Sequence, residues 1–202
     1  EVYGLPAEQV EEILHREFPG KVNTVGRSFG VFKVHGTGGH DLDVSLPRTE
    51  SKVAPGHAGF AVTGDPFLPF AEAARRRDFT VNALAADPAT GEILDAHAGR
   101  DDLESRTLRA VHVRSFPEDP LRVWRAVQLM ARLGFTVEPR TTDLLRTMVD
   151  GGELEHLSRE RVTEELRKLL TGAERPSAGL AFALRIGSVE SAFPELAALA
   201  VT

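Results

Sequence analysis

Cysteine is absent from the 202 residues, and tryptophan and tyrosine occur once each. Without a thiol there is no disulfide framework, no thiolate metal site and no cysteine nucleophile, and a reducing cytoplasm suits the chain. Lysine is scarce: of 24 basic residues only Lys21, Lys33, Lys52 and Lys168 are not arginine. No apolar run approaches the ~20 residues of a membrane helix, and no signal peptide is expected. A surplus of positive charge is missing as well. The net charge is -6, so attraction to a polyanion has to come from a local basic patch. What remains is ordinary for a soluble globular protein: 42% hydrophobic and 27% charged residues, in a length that suits one large domain or two small ones. The sequence opens on Glu1 rather than methionine, so it is expected to be an internal piece of a longer protein.

Sequence character changes along the chain. Pro6 followed by Val10, Ile13, Leu14 and Phe18 predicts an amphipathic helix. Residues 29–35 and 41–46 alternate around a Gly36-Thr37-Gly38-Gly39 turn and predict a β-hairpin. Residues 48–66, rich in Gly, Pro, Ser and His, predict a mobile loop. A helix is expected over 68–77, with short strands over 79–84, 92–94 and 108–113. After about residue 115, the segments 119–133, 141–149, 158–171 and 177–186 all show helical periodicity, broken at Gly134, Gly151-Gly152 and Gly172. The fold class expected is α+β, followed by an all-helical half.

Several short motifs carry chemistry. Asp41 and Asp43 share one strand face by period-two geometry, a candidate cation-binding pair or simply a solvated strand face. His40-Asp41 spells a metal-phosphohydrolase dipeptide but lacks the further histidines on helices. Gly26-Arg27-Ser28-Phe29-Gly30 spells a nucleophile elbow, and Ser28, Asp95 and His112 make a triad on paper. A strand rather than a helix follows it, so the elbow's required context is missing. Arg75-Arg76-Arg77, followed at once by Asp78 and an apolar strand start, places a guanidinium near a sheet edge, where a triphosphate would suit it.

Glu118-Asp119-Pro120-Leu121-Arg122-Val123-Trp124-Arg125 opens the helical half. Asp119, Arg122 and Arg125 recur every three residues and are expected on one helix face. One interpretation is a capped helix with an internal ion pair. The other is base recognition. Adenine and cytosine both present an exocyclic amine beside an unprotonated ring nitrogen. An Asp accepting from the amine and an Arg donating to the nitrogen would take A and C and reject G and U.

Taken together, RRRDFTVNAL (75–84), GEILDAHAGRDDL (91–103), EDPLRVWRAVQLMARLGF (118–135) and SRERVTEELRKLL (158–170) resemble the bacterial class II tRNA nucleotidyltransferase and poly(A) polymerase family. VGRSFGVFKV (25–34) and DLDVSLPRTES (41–51) are similar to its tRNA-processing branch. The resemblance implies a polymerase-β-type nucleotidyltransferase palm, or head, over residues 1–114, and a helical neck that reads the incoming base over 115–202. It implies two Mg²⁺ ions, ATP and CTP as substrates, and addition of C and/or A to the 3′ end of tRNA with release of pyrophosphate. Arg77 is then expected to bind the triphosphate, and Asp78 and Asn82 to organise the ribose and phosphate pocket. Asp119 and Arg122 are expected to read the base, and Arg125 to support the nucleotide. Asp43 corresponds to the third palm carboxylate, catalytic and metal-binding. The family's principal Asp-x-Asp motif is expected upstream of Glu1, and its body and tail domains beyond the neck. The loop from Arg48 to about Phe60 corresponds to the flexible loop associated with A addition. Gln128 stands where many relatives have arginine, and Ala96-His97-Ala98 where they have Pro-Phe-Gly. A poly(A) polymerase and a non-catalytic nucleotide- or RNA-binding fragment are the alternatives. No membrane partner is expected.

Overall fold

The computed structural model describes residues 1–26, 30–52 and 60–199, which divide into two compact units. One holds residues 1–52 and 60–73, the other residues 74–199. Compactness therefore changes at 73/74, whereas sequence character changes at about 115.

In the first unit, helix α1 (Ala7–Glu17) follows Pro6, whose fixed φ suits a helix start. Its apolar side, Val10 and Leu14, packs with Phe32, Val34, Val44 and Leu46. Phe32, Val34 and Val44 come from an antiparallel sheet, β1 (Val22–Gly26), β2 (Val31–Thr37) and β3 (His40–Ser45), in that order, and Leu46 follows β3 directly. The register sets Phe32 against Val44, Val34 against Leu42, and Lys33 against Asp43. Alternation sends Phe32, Val34 and Val44 to the helix side and Lys33 and Asp43 to the other. At the hairpin tip, His35 Nδ1 lies 2.9 Å from Asp41 Oδ2 and the Gly36 N–H donates to Asp41 Oδ1.

Residues 48–66, expected as a loop, contain a second hairpin. β4 (Arg48–Lys52) pairs antiparallel with β5 (Phe60–Gly64), from Arg48 opposite Gly64 to Lys52 opposite Phe60. Backbone pairing makes this ladder, which the polar, glycine-bearing composition did not announce. Residues 53–59 of the expected loop, and Arg27, Ser28 and Phe29 of the elbow motif, lie outside the described residues. The helix expected over 68–77 is confined to α2 (Phe70–Ala74).

The second unit is built around α4 (Arg122–Leu133). Its buried Val123, Trp124, Val127 and Ala131 pack with Leu145 of α5 (Pro139–Asp150), Leu169 of α6 (Arg159–Gly172) and Phe182 of α7 (Pro176–Arg185). Gly179 lets α7 approach this closely: a Cβ there would sit 2.6 Å from Leu169 Cδ1 and 3.1 Å from the Val127 carbonyl. The short α8 (Ser188–Ala192) and α9 (Pro194–Leu199) complete the helical part, and Phe193 meets Trp124 edge-on with ring centroids 5.5 Å apart.

The same core takes in Phe79, Val81, Leu108 and Ala110. Two minor ladders frame it: β6 (Ala85–Ala86) with β7 (Ile93–Leu94), and β8 (Thr107–Leu108) parallel to β9 (Thr136–Val137). Helix α3 (Gly99–Glu104) lies between them in sequence. The strand expected over 79–84 is instead a 3₁₀ turn, Thr80–Asn82, with one bridge from Phe79 to Ala110. Side-chain anchors bend it: Thr80 Oγ1 donates to Asp102 Oδ2 at 2.7 Å, and Asn82 Nδ2 to Asp78 Oδ1 at 3.1 Å. Among the described residues, no helix is long and apolar enough to cross a membrane.

Candidate functional site

Asp78 is the centre of the site. Its side chain is only 7% exposed, a costly place for a carboxylate unless its oxygens are used. Oδ1 accepts from the Phe79 N–H at 2.8 Å and from Asn82 Nδ2. Oδ2 accepts from Arg125 Nε at 2.6 Å and pairs with Arg125 Nη2 at 2.5 Å. The structure thus brings Asp78, Asn82 and Arg125 together, with the exposed Arg77 next in sequence.

The turn carrying Asp78 is held from behind. Arg109 Nε donates to Asp102 Oδ2 at 3.0 Å, and its Nη1 lies 3.5 Å from Glu138 Oε1. Asp102, buried, passes this to Thr80 through the hydroxyl bond above. Asp95 caps the start of α3, accepting from the N–H groups of His97, Gly99 and Arg100. Gly99 is required there, since a Cβ would lie 2.3 Å from the Thr80 carbonyl oxygen. Burial pushes the Asp95 carboxyl up, but the three N–H donors, first Arg100, hold it below its ordinary value of 3.8. Sequence reasoning missed Asp102, Arg109 and Glu138. Their partners come from distant segments and leave no local pattern.

Arg122, also 7% exposed, turns its guanidinium back onto the chain. Nη1 donates to the Ser115 carbonyl at 2.9 Å and to that of Phe116 at 3.2 Å, and Nη2 to the Arg76 carbonyl at 2.5 Å. The guanidinium carbon stands 5.3 Å from the Phe116 ring centroid. Ser115 Oγ donates to the Arg75 carbonyl at 3.2 Å. The arginine-rich run is therefore stitched to the turn that precedes α4.

Asp119 differs from its expected place on the helix face. It is extended (φ −115°, ψ 100°) and precedes α4, because the residue before a proline is driven out of the helical region. Its Oδ1 accepts from the Leu121 N–H at 3.2 Å. Its cation is Arg161 of α6, whose Nη2 lies 3.3 Å from both carboxylate oxygens. Sequence reasoning passed over Arg161, although Ser158 marks the start of its helix and accepts from its N–H.

Asp43 stands on the side of the first unit's sheet away from α1, 71% exposed and 4.0 Å from Lys33 Nζ. Asp41 is engaged by His35 and Gly36, so the two aspartates face different partners. Among the described residues, no group of three or more His, Cys, Asp or Glu side chains is placed to hold a metal ion. Asp43 is the residue of this chain that the resemblance places at a two-Mg²⁺ centre.

The chain is similar to known proteins along most of its length. Residues 2–109 match the family model described as "Poly A polymerase head domain", and residues 134–199 that described as "Probable RNA and SrmB- binding site of polymerase A". The chain is 46% identical over 178 residues to the multifunctional CCA protein of Xanthomonas campestris pv. campestris (strain B100), covering 87% of this chain and 42% of the relative. It is 45% identical over 180 residues to that of Stenotrophomonas maltophilia (strain R551-3), covering 88% and 43%. It thus spans less than half the length of these curated relatives. Among solved structures, the Thermotoga maritima CCA-adding enzyme complexed with tRNA superposes with a TM-score of 0.75 at 27% identity, over 95% of this chain and 42% of that one. The Bacillus stearothermophilus CCA-adding enzyme in complex with CTP gives 0.72 at 32%, over 90% and 41%. The fold is thus the mixed α+β palm-like domain and helical region of those enzymes. With the head-domain match alone covering more than half of its residues, the chain belongs to the class II tRNA nucleotidyltransferase and poly(A) polymerase family.

Proposed function

We propose that this chain is the nucleotide-selecting part of a template-independent, cytoplasmic RNA nucleotidyltransferase that adds C and/or A from CTP or ATP to the 3′ end of tRNA. The observation that carries it is the clamp of Asp78, Asn82 and Arg125 beside Arg77, tied through Arg122 to the turn that presents Asp119. Residues 1–114 are assigned to the head and 115–202 to the neck. The likeness to enzymes solved with CTP and with tRNA supports the substrate class.

In the transfer, the RNA 3′-oxygen bonds to the α-phosphorus of the nucleotide. The bond from that phosphorus to the bridging oxygen breaks, pyrophosphate leaves with the electron pair, and the hydroxyl proton passes to solvent. This chain's residues bind and orient. Arg77 engages the triphosphate, and Asp78 fixes Asn82 and Arg125 against the ribose and phosphates. Asp119, steadied by Arg161, accepts from the amine that adenine and cytosine share. Arg122 donates to the ring nitrogen once it turns one donor away from a backbone carbonyl. Asp43, on the uncovered face of β3, is the palm carboxylate proposed for this chain, and Asp43→Asn tests it.

A second reading, a nucleotide- and RNA-binding unit without transferase activity, is favoured by the absence of a carboxylate cluster among the described residues. Incubation with tRNA ending at the discriminator base or in CC, with Mg²⁺ and each of ATP, CTP, GTP and UTP singly, separates them. Addition of one to three nucleotides restricted to C and A supports the proposal. A long adenosine homopolymer makes the protein a poly(A) polymerase. Nucleotide binding without any addition leaves the second reading.

A further inference from the structure

His112, one member of the triad on paper, has a serine partner in the second unit, and it is Ser115. The two close a tight turn ahead of α4. The Phe116 N–H donates to the His112 carbonyl at 3.0 Å, and His112 Nδ1 lies 3.1 Å from Ser115 Oγ. The Ser115 N–H also points at Nδ1, at 3.4 Å. Both residues are half-buried.

Ser115 meets the candidate site at two points. Its Oγ faces the Arg75 carbonyl at 3.2 Å. Its own carbonyl accepts from Arg122 Nη1, and Nη2 of the same guanidinium takes the Arg76 carbonyl. Two consecutive carbonyls of the arginine-rich run are thus held, one by a hydroxyl and one by the guanidinium assigned to the base. The hydroxyl has a single proton to give, so it cannot serve His112 Nδ1 and the Arg75 carbonyl at once. The Ser115 N–H aimed at Nδ1 selects the neutral tautomer with its proton on Nε2. In that state the Nδ1 lone pair competes for the hydroxyl proton. Once Nδ1 is protonated, the ring donates to Oγ and the hydroxyl proton is left for the Arg75 carbonyl.

Cations dominate around this turn: Arg75 and Arg76 of the run, Arg122 of α4, and Arg114 within the turn itself. The acids are Asp78, taken by Arg125, Asp119, taken by Arg161, and Glu118, whose N–H joins the Ser115 carbonyl at 3.2 Å. Among the described residues, the His112 ring pairs with no carboxylate. A triphosphate on the arginine-rich run would therefore be the anion that favours a charge on this ring.

We propose that Ser115 is a positioning residue that couples the arginine-rich run to Arg122, and that His112 sets the coupling by directing the Ser115 hydroxyl proton. With a triphosphate bound, the site holds the His112 proton more firmly than the empty site does. Nucleotide binding then takes up a proton and tightens as pH falls through the histidine range, about 6.5. The inference rests on the reading that Arg77 and Arg122 hold a nucleotide, and names a control on that same site.

The test is equilibrium binding of ATP, GTP and inorganic tripolyphosphate to this chain between about pH 6 and about pH 8, across the histidine range. Wild type is set beside His112→Asn, Ser115→Ala and Ser115→Thr, with urea unfolding of each. Asparagine offers an amide N–H near the place of Nδ1 but does not titrate. The triphosphate's own last proton titrates in the same range and is common to all four proteins. From the upper to the lower pH, wild type is expected to gain about three- to tenfold in affinity for ATP and tripolyphosphate beyond the gain in His112→Asn. Ser115→Ala, which changes no titratable group, is expected to lose most of that excess and to narrow the ATP-to-GTP ratio. Ser115→Thr, which keeps the hydroxyl, is expected to restore both. Equal pH profiles in wild type and His112→Asn overturn the inference. An undiminished excess in Ser115→Ala also overturns it, because His112 then acts as a bare charge without the hydroxyl. So does a Ser115→Ala that weakens every ligand only in proportion to its lost unfolding free energy. In each of these cases wild type still binds ATP and nucleotide selection stands; wild type that binds no ATP at any pH overturns both.

Discussion

Asp78 and Arg125, 47 positions apart in sequence, close on each other through Arg125 Nε and Nη2, both on Asp78 Oδ2. The carboxylate is buried, while the guanidinium side chain is about one-third exposed, so the cost of taking charge out of water falls mainly on Asp78. The other oxygen is satisfied by the Phe79 N–H and Asn82, and no lone pair is left to strain. One aspartate thereby fixes the first turn of α4 against the arginine-rich segment.

Asp78→Asn should cost about 1–3 kcal/mol of stability in urea unfolding. It leaves Arg125 unpaired, but that partly exposed guanidinium recovers some hydration. Arg125→Lys should fail to rescue nucleotide binding, because an ammonium offers one point of charge where the fork offers two coplanar donors. A lysine variant that binds ATP like wild type would show that charge alone is needed.

Acid stability should depend on Asp95 and Glu138. At Glu138 burial pushes the carboxyl up, but the Thr141 N–H and hydroxyl, with the Arg140 N–H and the Arg109 charge, hold it below 4.5. Asp95 is likewise held below 3.8. A folded value below the unfolded one means the unfolded chain binds more protons as pH falls. Their contribution is therefore complete well above pH 4.5 and is lost as pH drops through the depressed values. Asp95→Asn should flatten the acid limb of a melting-temperature profile, and an equally steep limb would count against the capping role.

Neighbouring substitutions at the start of α3 should move stability in opposite directions. Gly99→Ala drives a methyl into the Thr80 carbonyl, an overpacking expected to cost about 1–3 kcal/mol. Ala98 holds φ at 57°, so Ala98→Gly should relieve left-handed strain by about 0.5–1 kcal/mol. Thermal unfolding of the two variants checks both signs.

The elements that announced themselves in the sequence are those with one clear period. Val10, Leu14 and Phe18 marked α1, alternation through Phe32, Val34 and Val44 marked the hairpin, and the four long helices of the second half fell within a few residues of their expected spans. Segment 79–84 misled because Phe79, Val81 and Ala83 are all buried, an alternation that a strand also shows. Its turn is imposed by Asp102 and Asp78, which periodicity does not register. The arginine and aspartate motifs named Asp78, Asn82 and Arg125, which the fold brings together, but their pairing was not legible. Spacing put Asp119 on one helix face with Arg122 and Arg125, whereas Pro120 takes it off the helix and a residue 42 positions away supplies its cation. Gln128, a departure from family pattern on sequence grounds, acquires a physical reason in the hold it has on Arg132.

Arg161 is where nucleotide preference should be most informative. It touches Asp119 through both carboxylate oxygens and orients the acceptor assigned to the exocyclic amine. Arg161→Gln should therefore erode the preference for ATP and CTP over GTP and UTP, out of the ~1–3 kcal/mol that a well-placed polar pair supplies. A merely structural role would weaken all four nucleotides in proportion to the loss of stability. Equilibrium binding of the four nucleotides, read as ratios and set beside the unfolding free energy, separates the two. Arg161→Lys, which returns the charge at one point, should restore part of the preference. Preference ratios unchanged in Arg161→Gln would mean that Asp119 is oriented by the Leu121 N–H alone, and that α6 contributes packing rather than selectivity.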